Sequence, residues 1–349
     1  MKKYDVIIIG GGQAGLSIAY FLRRSSLSYL ILDNQEKCGG SWNQTWDSLQ
    51  LFTPPEYSSL SGWPMPKSEE EYPMKDEFLS YLSAYEKRYD FPIRRKSKVL
   101  QVEKEADWFK IKTNRDILFA KTVVSATGTA ANPFVPHYPK RAVFSGIQIH
   151  SVDYRNADEF KNKNVLIVGG GNSGAQILAE VSKVANTKWV TLEDPNFLPD
   201  YIDGRYLFNQ ATQKYLGKTN KNTDDNLRAS LSSIVMVDSV KKARERNVLN
   251  AVMPFKEFYE NGAVWKNGTK EAFDVVIWCT GFRANLKHLA PLGVIENGRI
   301  KTEHTRSVKE PNLWLVGYGN WTGFASATIY GVGKTARQTV KEIRAELNG

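Results

Sequence analysis

One glycine pattern, present twice and each time behind a short apolar run, constrains this chain more than any other feature. Val6-Ile7-Ile8-Ile9 leads into Gly10-Gly11-Gly12-Gln13-Ala14-Gly15, and Val165-Leu166-Ile167-Val168 leads into Gly169-Gly170-Gly171-Asn172-Ser173-Gly174. Each reads GxGxxG directly after a candidate buried strand. In such a turn the first glycine permits a tight reversal and the second lets a pyrophosphate approach the backbone. The third lets the following helix pack closely on the strand. The helix N-terminus then attracts the phosphates.

The flanking sequence supplies the rest of the unit. Ile18, Phe21 and Leu22 follow the first turn, and Ile177, Leu178 and Val181 the second, at helical spacing. Each helix leads to a second strand ending in an acid, Tyr29-Leu30-Ile31-Leu32-Asp33 and Trp189-Val190-Thr191-Leu192-Glu193. Both acids stand roughly 20 positions beyond the last glycine, where a carboxylate accepts hydrogen bonds from a ribose. The expected fold is α/β, with two Rossmann-like dinucleotide-binding domains in a glutathione-reductase-like arrangement.

At 349 residues the chain has room for about two domains. The net charge of +10 is spread over scattered lysines and arginines. Short clusters such as Arg94-Arg95-Lys96 read as solvated faces, so neither a nucleic acid nor a membrane partner is expected. Cys38 and Cys279 stand far apart, in no metal-ligand spacing, which argues against a disulfide framework and a metal site. Met1-Lys2-Lys3 and its apolar run superficially resemble a secretory signal, but the run is only a strand's length. No apolar stretch reaches the roughly 18 residues of a bilayer span. Cytoplasmic localisation is expected, and the size class is compatible with a homodimer.

Two apolar strands that end at a threonine-glycine turn close the units: Val123 to Gly128, containing Ala126-Thr127-Gly128, and Val275 to Gly281, containing Thr280-Gly281. Leu313 to Val316 then leads through Gly317 to Asn320, and a helix is expected from about Ala327 to Glu346. This tail has no fingerprint of its own and is expected to complete the first unit. The second unit is thus inserted in it, with residues 1–155 and 285–349 forming one dinucleotide-binding domain and 156–284 the other. Stretches 98 to 104, 108 to 113 and 116 to 120 alternate like hairpin strands, with Val99 beside the flavin nucleotide. Residues 195 to 250 read as an insertion of unassigned role.

Two dinucleotide sites suit a flavin reduced by a nicotinamide, with the protein supplying orientation and electrostatics. The fate of the reduced flavin is open among dithiol reduction, electron export and oxygen activation. A reductase needs two adjacent thiols, and neither cysteine has a sequence neighbour, although Cys38 could lie near the flavin. Export through iron-sulfur clusters lacks its cysteines. A nucleotide sensor that keeps FAD without turnover is a further reading.

The segment Phe144-Ser145-Gly146-Ile147-Gln148-Ile149-His150-Ser151-Val152-Asp153-Tyr154-Arg155 reads FxGxxxHxxxYR. It resembles the identifying sequence of the flavin-containing monooxygenases, among the class B flavoprotein monooxygenases. Gly39-Gly40-Ser41-Trp42 resembles that family's flavin segment, Ala126-Thr127-Gly128 its ATG motif and Thr280-Gly281-Phe282 a second copy. The likeness spans nearly the whole chain and is greatest to the short bacterial members.

The resemblance implies that NAD(P)H reduces FAD and that dioxygen adds at flavin C4a. A small thioether, amine or, in some short members, ketone then takes one oxygen. It also implies roles for His150 and Tyr154 of the motif, for Phe52 near the flavin and for Asn320 against the ribityl chain. Two departures stand out. No NGP-like segment occurs between Leu49 and Ser59, and Asn320 stands where this architecture tends to carry aspartate.

The first site, with Gly10, Gly12, Gln13, Ala14, Gly15, Asp33, Gly40, Ser41, Trp42, Val99, Ala126, Thr127, Gly128, Gly317 and Asn320, is thus expected to bind FAD. The second, with Gly169, Gly171, Asn172, Ser173, Gly174, Glu193, Thr280 and Gly281, is expected to bind the nicotinamide. Glu193-Asp194 would repel a 2′-phosphate, so NADH is expected to serve at least as well as NADPH. Lys188 or Arg205 folding inward would reverse that preference.

Overall fold

The computed structural model describes residues 2–202, 233–323 and 325–348. The hydrophobic run before each fingerprint is the centre of a parallel sheet, as expected of strands buried on both faces. In the first sheet, Lys3–Ile9 lies between Tyr29–Leu32 and Ile117–Ser125, parallel to both. Ile93–Arg94 and Leu313–Leu315 extend this parallel core on its two sides. Ile9 stands level with Leu32 on one neighbour and with Ser125 on the other. Leu315 is also level with Ser125, so these strands finish together at the glycine turn.

The tail therefore returns to the first sheet. The hairpin stretches form strands Val99–Glu105 and Trp108–Thr113, paired antiparallel, and the second of them pairs with Ile117–Ser125. That last strand is continuous, where the sequence reads as two separate runs. The C-terminal helix spans Ile329–Asn348, shifted by two residues from its expected bounds. It shares a core with Gln13–Leu22, through Leu16, Ile18, Val332 and Ala336. Each large aliphatic side chain buried there contributes about 1.5–3 kcal/mol relative to exposure.

The second sheet is wholly parallel, in the order Ala251–Val252, Asn186–Val190, Asn164–Val168, Val275–Trp278, Ile147–His150. Its last strand comes from before residue 156, so the sheet takes in part of the identifying segment. Within the 195–250 insertion, helix Asp238–Glu245 buries Val240 and Ala243. Much of the insertion, including Arg205, lies outside the described residues. Among the described residues, no helix is long and apolar enough to cross a membrane.

Candidate active site

Both fingerprints have the same close-packed geometry. Gly10 and Gly169 adopt φ of +109° and +133°, in the region that favours glycine. A Cβ on Gly15 would lie 1.9 Å from the Gly10 carbonyl oxygen, and one on Gly174 would lie 2.2 Å from that of Gly169. The helices that follow, Gln13–Leu22 and Asn172–Val181, have neither a side-chain cap nor an acid in the first turn. Their leading N–H groups are thus left for an anion, with the helix dipole behind them. Around the ideal Cβ position of Gly171 nothing lies within 4 Å.

A cavity of about 550 Å³ opens at the end of the first sheet. Gly10, Gly12, Gln13 and Ala14 of the first turn line it, as do Gly40 and Ser41 from the flavin segment. Asp33 and Val99 form one part of its wall, and Ala126, Thr127, Gly128 and Gly317 another. Gly15 acts from beneath, by letting the helix close on the turn. These residues fit a dinucleotide: uncapped helix N–H groups, glycines that keep the backbone bare, and an acid at the strand end.

Asp33 is buried and forms an ion pair with Arg95, which also binds Glu86. Burial raises its carboxyl pKa, outweighing the Gln35 N–H and the Arg95 charge. Arg95 is therefore not on a solvated face. It comes back from the strand after the long helix Lys75–Tyr89 to clamp the expected ribose acceptor. Its role was hidden in the sequence because nothing local marks a partner 62 positions away.

The Gln13 side chain ties three segments together. It accepts from Trp42 Nε1 at 2.8 Å and donates to the Ala327 carbonyl at 3.0 Å. Asn320, in contrast, is exposed and lines neither this cavity nor the next one. It starts a short 3₁₀ turn over Asn320–Thr322 that follows Gly319. The polar side chains that do reach the first cavity from this edge belong to a buried network of Ser125, Thr127, Tyr318 and His288. Sequence reasoning missed three of these four, and the signal available was a polar residue at the end of an otherwise apolar strand.

A second cavity of about 370 Å³ adjoins the first and shares Gln13, Ser41, Gln44 and Ala327 with it. Trp42, Trp46, Phe52 and Tyr57 face Phe282 and Tyr330 there. Phe52 is thus a cavity residue, as its position after the flavin segment suggests. Asn172 and Ser173 bring the N-terminus of the second helix to the same space. The Asn172 side chain is also committed elsewhere, donating to the Ser233 carbonyl and accepting from Val235 N–H. It anchors the 195–250 insertion to the second unit at Ser233 and Val235. No charged residue lines this cavity among the described residues.

His150 and Tyr154, expected to be catalytic, line neither cavity but stand directly behind the second, His150 against Phe282 and Tyr154 against Trp46. His150 is buried, its Nε2 3.0 Å from the Gly281 carbonyl while Nδ1 accepts from Val152 N–H at 3.2 Å. The carbonyl can only accept and the amide can only donate, so the ring is the neutral Nε2–H tautomer. Burial lowers its pKa in keeping with that form. Tyr154 is fully buried and donates to Glu180 Oε2 at 2.7 Å. Ser48 binds the other Glu180 oxygen. Arg155 donates to the Gln44 carbonyl at 3.0 Å, and Asp47 N–H donates back to Arg155.

The identifying segment is therefore a latch. It joins the strip from Gln44 to Ser48, which borders both cavities, to the helix and the last turn of the second sheet. Thr280 donates to the Phe134 carbonyl, and Gly281 supplies the carbonyl that His150 holds. Neither lines a cavity, whereas Phe282 beside them does.

Glu193 is exposed just past the second sheet. Lys188 does not turn toward it but pairs with Glu271 at 2.7 Å. Both cysteines are free, Cys279 buried and Cys38 partly so. Burial raises both thiols, Cys279 to about 12, with Glu86 adding to the rise at Cys38. Neither is poised as a thiolate.

Two dinucleotide folds meeting at adjoining cavities define an FAD-dependent oxidoreductase that uses a nicotinamide donor. The sequence profile described as pyridine nucleotide-disulphide oxidoreductase matches residues 7–317, and the chain belongs to that family. Within it, this chain groups with the flavin-containing monooxygenases. It is 44% identical to the flavin-containing monooxygenase from Stenotrophomonas maltophilia, a solved structure. That match covers 99% of this chain and 100% of the other, with a TM-score of 0.91. It is also 34% identical to the uncharacterized oxidoreductase CzcO of Bacillus subtilis (strain 168), over 98% of this chain and 100% of that protein. Indole-3-pyruvate monooxygenase YUCCA1 of Oryza sativa subsp. japonica is 27% identical over 97% of this chain and 91% of its own length.

Proposed function

We propose that the chain uses NAD(P)H and dioxygen to oxygenate small thioethers and amines, with ketones as a further class, at the second cavity. The observation that carries this is the join between the cavities. A flavin held along the first, with its nucleotide at Asp33 and Val99, meets a mostly apolar space walled by Trp42, Trp46, Phe52 and Phe282. When bound, FAD supplies hydride acceptance from the nicotinamide and the activation of dioxygen.

The protein's own part is positioning and exclusion of water. The two uncapped helices hold the phosphates, and Arg95 keeps Asp33 aimed along the wall of the first cavity. Gln13 braces Trp42 against the C-terminal segment, which keeps the shared rim in place. The aromatic walls exclude water from the oxygenating step, where side reactions with solvent would waste reducing equivalents. We assign residues 1–155 and 285–349 to the FAD unit and 156–284 to the nicotinamide unit, with strand Ile147–His150 of the first span crossing over to pair in the second sheet and His150 to Arg155 as the latch between the units. Two unpaired thiols fit a reducing compartment, and we assign the chain to the cytoplasm.

The test is to mix the yellow holoenzyme with NADH in air and follow the flavin spectrum. A transient absorbance distinct from both oxidised and reduced flavin, decaying faster when methyl phenyl sulfide is added, is the expected result. Plain reduction with no such transient would favour a reductase. No reduction at all would favour a nucleotide sensor.

A further inference from the structure

The buried network beside the first cavity has a direction that can be worked out atom by atom. Thr127 Oγ1 lies 2.6 Å from the Asn285 carbonyl and 2.7 Å from the Tyr318 hydroxyl. Tyr318 in turn lies 2.6 Å from Ser125 Oγ, and Ser125 Oγ lies 3.0 Å from His288 Nε2. The Asn285 carbonyl has no hydrogen, so Thr127 must donate there. Tyr318 must then donate to Thr127, and Ser125 to Tyr318. The remaining contact needs a hydrogen on His288 Nε2. Every hydrogen points one way, and the neutral ring is left with a bare lone pair on Nδ1.

That lone pair has no protein partner among the described residues. His288 is 94% buried, yet it lines the first cavity. The atom is not fully enclosed but opens on the cavity, where a ligand that donates to it takes the place of water. The ring sits on the 3₁₀ segment Lys287–Leu292, held by Leu289 in the core below. Its orientation is thus set by packing and by the network together.

We propose that His288 Nδ1 accepts a hydrogen bond from a hydroxyl or amine donor of FAD in the first cavity, and that the chain from Ser125 to Asn285 fixes the ring for that contact. The inference rests on the assignment of FAD to this cavity. It makes His288 a cofactor-binding residue, and Ser125 and Tyr318 its positioning residues. Burial lowers the His288 pKa to about 4, in keeping with the neutral ring the network requires.

The test uses ¹⁵N-histidine-labelled protein with FAD bound and after its reversible removal. Only four histidines need assigning. The expected spectrum has His288 protonated at Nε2 and bare at Nδ1, with the Nδ1 resonance moving when FAD binds. A ring protonated at Nδ1, or an Nδ1 resonance indifferent to FAD, would overturn the proposal. In parallel, His288→Leu should raise the FAD dissociation constant about tenfold, and Ser125→Ala a fewfold. A folded His288→Leu protein that binds FAD as the wild type does would also overturn it. Should His288→Leu fail to fold, Ser125→Ala and the spectrum decide. If the stripped wild-type protein takes up no FAD at all, the cavity assignment fails and carries this inference with it.

Discussion

The two glycine turns are nearly the same object at the backbone and different objects at the rim. Each follows a central strand, opens a ten-residue helix and closes a glycine so near a carbonyl that an added Cβ would come within 2.2 Å of its oxygen. At the first, the strand-end acid Asp33 is buried under Arg95, and the cavity is walled by the C-terminal segment as well. At the second, Glu193 stands exposed past the sheet edge. A clamped, enclosed site suits a cofactor that stays, and an open one suits a cofactor that comes and goes. On the proposed assignment, the glycine pattern marks a dinucleotide and the rim sets how long it stays.

The largest effect should come from forcing a Cβ into either turn. Gly15→Ala must displace the Gly10 carbonyl or the helix, and colourless protein after purification is expected. Gly174→Ala, with the same clash in the second turn, should keep its FAD while the rate of flavin reduction by NADH falls by about 100-fold or more, on the order of 3 kcal/mol. Flavin absorbance per protein and stopped-flow reduction separate the two. If Gly174→Ala also lost FAD, the two sites would not be independent and the comparison would break.

The latch between the sites should give a smaller effect, expressed in stability. Tyr154→Phe takes from the half-buried Glu180 carboxylate one of its two hydroxyl donors, Ser48 remaining on the other oxygen, a loss of about 1–3 kcal/mol. Urea unfolding of the holoenzyme should show it, with little change in the affinity for FAD. A decline in oxygenation far beyond the loss of folded protein would give Tyr154 a part in the chemistry, from its place behind Trp46 of the second cavity.

A pH series probes the first site alone. His288 titrates at 6.5 when unperturbed and at about 4 when folded, so between those values the unfolded chain takes up a proton that the folded one refuses. Stability contributed in this way is complete above pH 6.5 and declines as pH falls toward 4, at no more than about 1.4 kcal/mol per pH unit. His150 acts in the same sense. Asp33 and Glu180, whose pKa values are raised, act oppositely, since stability falls as pH rises through their folded values. Subtracting the His288→Leu profile from that of the wild type isolates the ring. A difference flat from pH 7 to 5 would show that His288 is not buried as a neutral base.

Much of the fold was legible because its signals are local. A strand, a glycine turn, a helix and an acid within about 35 residues can be read from spacing alone. The site was legible only where it coincides with those signals. Gly10, Asp33, Ala126 and Gly317 line the cavity as expected, and Asn320, one turn further on, does not. Arg95, His288 and Tyr318 were missed because their partners are brought together only by sheet order. For His150 and Tyr154 the motif identifies a family, whereas their hydrogen bonds to Gly281 and Glu180 join residues far apart in sequence and were not legible in it.

The smallest effect, and the sharpest probe of the open rim, concerns Glu193. Its carboxylate is exposed, so its repulsion of a ribose 2′-phosphate is screened by salt and amounts to about 1 kcal/mol at a few ångströms. Glu193→Gln keeps a hydrogen-bond acceptor for a plain ribose and removes the charge. KM for NADPH should fall about fivefold at low ionic strength, with KM for NADH changed less than twofold. The difference should shrink as salt is added. An equal change for both donors would mean that Glu193 does not face the ribose and that the second site reads its nucleotide elsewhere. A wild type that strongly prefers NADPH would reverse the expected order of donors at the outset. Either result would leave the second turn as a phosphate cradle whose selectivity is set by residues other than the strand-end acid.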